Sequence, residues 1–201
     1  MSKKSKSANK QVGIGFGIQQ HITNLTVDEK YLNEILTMSN HPSVLNMVVL
    51  ELFNNINDDN FRIDLKTYPH PEVENKILYN NITKYRFKIE TLYSENAFFI
   101  EEAYNSLDYE SPGNKKLLLN YLNSIYLEVL GSISNDVTKT KIEIIKENNN
   151  GDSIIEQIIS RLLVSVSSLF GSVSKESLIL SITIIVYHAF VECKILENPN
   201  K

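Results

Sequence analysis

Residues 178–191, LILSITIIVYHAFV, constrain the fold more than any other stretch of the chain. Wound as a helix they are apolar on nearly every side, and such a helix has to lie at the centre of a packed body. The run is shorter than the roughly 20 residues a bilayer span requires and holds Ser181 and Thr183, so it reads as a core helix rather than a membrane segment. A central helix needs partners, and the chain supplies them as segments whose apolar residues recur at i, i+3 and i+4.

Those segments define the expected architecture. After Thr26 the residues Val27, Tyr31, Leu32, Ile35 and Leu36 follow a helical period until Asn40-His41-Pro42 breaks it. A short helix is expected over 43–53, ended by the turn-rich NNINDDN. Residues 61–68, FRIDLKTY, alternate apolar and polar side chains and predict one short strand, with a loop as the alternative. One long helix is expected over 72–107, opening after Pro71 and bending near Ser94. Ser111-Pro112-Gly113 closes it, and a helix over 114–130 follows, carrying Leu117, Leu118, Tyr121, Leu122, Ile125, Tyr126 and Val129. A polar loop, KENNNG, leads to Asp152 as the N-cap of a helix to about residue 170. The last helix opens at Ser174 and is expected to run to Leu196. The fold class is therefore mainly α: a multi-helix bundle with a short extended N-terminal arm and one short strand.

The arm is residues 12–26, where Gly13, Gly15 and Gly17 alternate with Val12, Ile14, Phe16 and Ile18. Period 2 suits an extended segment able to pair with a sheet edge on a partner or on its own copy. The glycines do not form a dinucleotide fingerprint, because no apolar strand precedes them and no helix opens after them to receive a pyrophosphate. Residues 1–11 form a basic tail: Lys3, Lys4, Lys6 and Lys10 put +4 on the first ten residues, leaving −8 on the other 191 for a net charge of −4. An acidic body argues against direct nucleic-acid binding, which needs Lys and Arg converging on phosphates. The expected organisation is thus a disordered tail (1–11), the arm (12–26), a small helical segment (27–71) and a larger helical domain (72–199). The lone Cys193 excludes an intramolecular disulfide or a multi-Cys zinc site, and with no apolar leader at the start a cytoplasmic address is expected.

Little catalytic equipment is visible. The histidines, His21, His41, His70 and His188, form no i, i+3 or i, i+4 pair that would set two imidazoles on one helix face, so neither a metal site nor a cofactor is expected. His188 and Cys193 are five residues apart and face different ways, which excludes a Cys–His nucleophile and leaves His188 as a hydrogen-bonded core residue. Asp64 with Glu74 and Lys76 superficially matches the Asp…Glu-x-Lys layout of metal-dependent nucleases. Those groups belong on a strand, however, and acids at a helix start are explained by the helix dipole. Neither a nucleophile elbow nor a Gly-rich loop ending in Lys-Ser/Thr is present, so no catalytic residue is assigned.

The candidate contacts are aromatic and apolar. Tyrosines concentrate between residues 79 and 126, and Tyr79, Tyr93, Tyr121 and Tyr126 are candidate partner-binding residues together with Gly13, Ile14, Gly15 and Phe16 of the arm. Helix packing is the competing role for the tyrosines.

Three separated stretches carry a family resemblance. Lys76-Ile77-Leu78-Tyr79-Asn80-Asn81 opens one helix; Ser111-Pro112-Gly113 precedes a helix containing Tyr121 and Tyr126; and Ala189-Phe190-Val191-Glu192-Cys193-Lys194-Ile195-Leu196-Glu197-Asn198-Pro199 ends the chain's apolar helix. In this order they resemble the C-terminal helical domain of ABC-three-component defence systems, the group that includes Lamassu-like systems, over about two-thirds of the chain. The resemblance implies a scaffold that couples an effector to a middle component and to an SMC/RecN-like ATPase. The residues before 72 show no nuclease or protease signature, so the expectation is a non-enzymatic adaptor whose motif residues act as packing positions. Two other readings stand beside it: a self-associating regulator that forms a homo-oligomer through the arm, and the nuclease that Asp64, Glu74 and Lys76 would require.

Overall fold

The computed structural model describes residues 41–56, 69–147 and 150–200. Within them seven α-helices follow one another: α1 (His41–Asn54), α2 (Val73–Tyr79), α3 (Arg86–Glu110), α4 (Asn114–Ile133), α5 (Lys141–Lys146), α6 (Asn150–Ser165) and α7 (Lys175–Val191), with a 3-10 turn at Ser167–Leu169 before α7. The described residues form no strand, only an isolated bridge between Phe170 and Val173. The fold is mainly α, a multi-helix bundle. The tail, the arm, the helix after Thr26, and the strand expected over 61–68 all lie outside the described residues.

The apolar run becomes the centre, as its composition requires. Every residue of α7 from Leu178 to Phe190 is buried, and α1, α3 and α6 pack around it. α4 lies against α3 and α6, and short α5 packs on α6. No helix among the described residues is long and apolar enough to cross a membrane.

The long helix expected over 72–107 is broken, and the break lies at Asn80–Tyr85, not at Ser94. Asn81 adopts a left-handed conformation (φ 51°). The Ile82 N–H donates back to the Ile77 carbonyl and the Asn81 N–H to that of Leu78. This is the Schellman pattern, which stops a helix and turns the chain, and Asn accepts left-handed φ more readily than most residues. The last helix ends early for the same reason. Cys193 is left-handed (φ 56°), with its N–H on the Phe190 carbonyl and the Lys194 N–H on that of Ala189, so α7 stops at Val191 rather than Leu196.

Asp152 differs from its expected role as well. It sits inside the first turn of α6, and its carboxylate accepts from the Thr83, Lys84 and Tyr85 N–H groups (3.0, 3.0 and 3.3 Å) and from the Thr83 hydroxyl (2.8 Å). It therefore satisfies amides at the entry of α3, whose own cap, Tyr85, makes no side-chain capping bond. Gly151 permits this approach: a Cβ there would overlap the Asn80 carbonyl oxygen. Helix α5, absent from the expected elements, is fixed by a capping box in which the Thr140 hydroxyl accepts from the Glu143 N–H and the Glu143 carboxylate accepts from the Thr140 N–H.

Candidate functional site

Residues of α2 and α4 meet the chain that follows α7 at one turn. Lys76 of α2 is 1% exposed. Its ammonium donates to the Phe190 carbonyl and, at 3.1 Å, to that of Ile195, and lies 4.2 Å from the centre of the Phe190 ring. Carbonyls at a helix C-terminus lack partners within the helix and carry the negative end of its dipole, so a buried cation is well placed there. The cation that serves the end of α7 is thus Lys76; Lys194 contributes its backbone N–H to Ala189.

Asn80 completes the clasp. Its side-chain amide donates to the Glu197 carbonyl (2.8 Å) and its amide oxygen accepts from the Glu197 N–H (2.8 Å), so one side chain reads both backbone groups of a residue 117 positions away. The same amide donates to the Lys76 carbonyl at 2.9 Å. From α4, Asn123 donates to the Lys194 carbonyl and the Tyr126 hydroxyl to the Glu197 carboxylate at 3.0 Å. The Asn198 side chain reaches the Pro69 carbonyl at 3.1 Å.

These bonds decide the roles of several predicted residues. Tyr126 is 1% exposed, and burial, followed by the Glu197 charge, raises its pKa far above the ordinary phenol range. It is a core residue and presents no contact surface. Tyr79, Tyr93 and Tyr121 are half-buried. Lys146 stands over the Tyr79 ring at 4.8 Å, Tyr93 packs on the His188 ring, and Tyr121 packs against the core. Gly13, Ile14, Gly15 and Phe16 lie outside the described residues, as does Asp64. Glu74 is paired with Arg86 at 2.7 Å on the surface while Lys76 is buried, so these two do not converge on a common point.

A second group surrounds His188 in the middle of the bundle. Its Nε2 lies 2.8 Å from a Glu101 carboxylate oxygen; the other Glu101 oxygen accepts from Lys115 at 2.7 Å. Burial alone would raise the Glu101 pKa, but the bonds from Lys115 and His188 outweigh it and hold the carboxyl below its usual range. Nothing in the local sequence announces this pairing, because Glu101 and His188 are 87 residues apart.

The surface signal that sequence reading missed is on α3. Phe87, Phe98 and Tyr109 are 73%, 66% and 93% exposed. They are spaced by 11 residues, three turns plus about 20°, so they line one edge of the helix at intervals of about 16 Å. Beside this edge a cleft of about 750 Å³ opens between α1 and α3, lined by Pro42, Asn46, Phe99, Glu102, Tyr109 and Glu110 among others. The 11-residue spacing was the available clue, hidden because the same helix carries a stronger buried stripe. Comparison with protein-family models, with curated proteins and with solved structures finds no match.

Proposed function

We propose that this chain is a non-enzymatic adaptor of an ABC-three-component, Lamassu-like defence complex, joining an effector to an SMC/RecN-like ATPase and a middle component. The observation that carries the reading is that residues from each resembling stretch, Lys76 and Asn80, then Tyr126, then residues 190–198, join in one hydrogen-bonded clasp, to which Asn123 of α4 adds a bond. Side chains committed to backbone groups in this way hold a scaffold together. The exposed aromatic edge of α3 supplies the contact surface, since single aromatics are common on surfaces but a register of three along one helix suits an interface.

Affinity capture with the tagged full-length chain from its host, read by mass spectrometry, tests the proposal. The expected result is recovery of an SMC/RecN-like ATPase with a small middle subunit, lost when Phe87 and Phe98 are both changed to Ser. Both positions are exposed, so the thermal midpoint stays near that of the wild type. Capture of the chain alone overturns the adaptor, and a mass that rises with concentration and drops on deletion of residues 1–26 assigns self-association instead.

A further inference from the structure

Glu101, His188 and Glu192 come together from two helices, and the adaptor function makes no use of them. Glu192 caps α7 four residues after His188, one turn further on the same face. Helix α3 packs on α7 and brings in Glu101. One donor atom from each residue lies within 4.8 Å of the other two.

The chemistry of the group is unbalanced as it stands. His188 is wholly buried, and its Nε2 faces the Glu101 carboxylate at 2.8 Å. Two carboxylates face one ammonium, that of Lys115 on Glu101, while the Glu192 carboxylate has no hydrogen-bond or ion-pair partner among the described residues.

A second observation points to the same spot. Tyr104 is 0% exposed, its ring meets that of His188 at 5.0 Å, and its hydroxyl has no hydrogen-bond partner among the described residues. Burial first, then the charges of Glu101 and Glu192, raise the pKa of this hydroxyl. Such a group is expensive to bury unpaired.

We propose that Glu101, His188 and Glu192 form a binding site for a divalent transition-metal ion. One imidazole nitrogen with two carboxylate oxygens suits the zinc, manganese and cobalt class, whereas calcium and magnesium prefer oxygen ligands alone. Binding through Nε2 takes the place of the His188–Glu101 hydrogen bond and leaves the imidazole proton on Nδ1, while the Lys115 ammonium on the other Glu101 oxygen competes with the metal for that carboxylate's charge. The C-terminal end of the α7 dipole adds to the attraction for a cation.

The test uses the full-length chain stripped of metal with a chelator, titrated with Zn²⁺ against a chromophoric competitor and with Co²⁺ by visible absorption. One equivalent of each is expected, with a Co²⁺ spectrum characteristic of nitrogen and oxygen ligands. Glu192→Gln should weaken binding at least tenfold, and Lys115→Met, which removes the competing cation, should tighten it several-fold. Cys193→Ser separates this site from adventitious thiol binding and should leave affinity unchanged. Circular dichroism establishes that each variant is folded. No stoichiometric uptake by the wild type, equal affinity in Glu192→Gln, no gain in Lys115→Met, or loss of binding in Cys193→Ser each overturns the proposal.

Discussion

Replacing Lys76 with Met tests whether a buried ammonium holds the bundle's last turn in place. Met keeps most of the side-chain stem and volume, so the change removes the charge and donors with little cavity formation. The Ile195 carbonyl loses the Lys76 bond at 3.1 Å. The Phe190 carbonyl also loses its Lys76 bond but keeps the bond from the Cys193 N–H. One buried carbonyl left without this donor costs about 1–3 kcal/mol, and the lost cation–π contact with Phe190 adds about 1 kcal/mol. Relief of the desolvation of a buried charge works in the opposite direction. If the clasp is built as described, the balance is a loss of about 2–3 kcal/mol, a drop in thermal midpoint of about 5–10 °C for a chain of this size. Thermal and urea unfolding by circular dichroism at 222 nm measure it. Lys76→Met as stable as the wild type, or more stable, would show that the ammonium is tolerated rather than needed and would refute the reasoning.

Three further perturbations probe neighbouring features. Asn80→Ala removes both side-chain bonds to the Glu197 backbone and should destabilise by about 2–3 kcal/mol in urea unfolding, with faster amide exchange at Glu197. Gly151→Ala drives a methyl group into the Asn80 carbonyl and should cost about 1–3 kcal/mol despite the better helix propensity of Ala; a stabilised variant would contradict the packing of α6 on the α2–α3 turn. The Glu143 carboxyl, bonded by the Thr140 hydroxyl and backbone N–H, has its pKa lowered by those bonds. A depressed carboxylate pKa stabilises above the unfolded value and is lost as pH falls through the folded one, so the protection factors of α5 amides, exchange rates corrected for the intrinsic pH dependence, should fall below about pH 4.5. Glu143→Gln should flatten that response.

Much of the fold was legible because amphipathic spacing is a local property. The all-round apolar character of residues 178–190 alone demands a central position, and α7 occupies it. The stripes of α4 and α6 and the Pro-Gly break between α3 and α4 were equally readable, since a helix's buried face and a glycine at positive φ (Gly113, 96°) are written within a few residues. The capping box of α5, Thr140 with Glu143, was present in the sequence, but six residues are too few for helical periodicity to mark the segment as a helix.

What the sequence by itself determined is therefore the helical class and the identity of the central helix, because periodicity and burial are set by the order of side chains along the chain. Only the tertiary structure decided where the helices stop and which polar groups meet. Asn81 and Cys193 turn left-handed where the following chain must fold back to be clasped. Asp152, a plausible cap for its own helix, serves the start of α3 instead. Lys76 resembles an exposed helix-start lysine until the end of α7, more than a hundred residues later, surrounds it. Glu101 meets His188 only because α3 packs on α7. Bonds of this kind join one residue's side chain to the backbone or side chain of a distant one, so no local pattern of residue types records them.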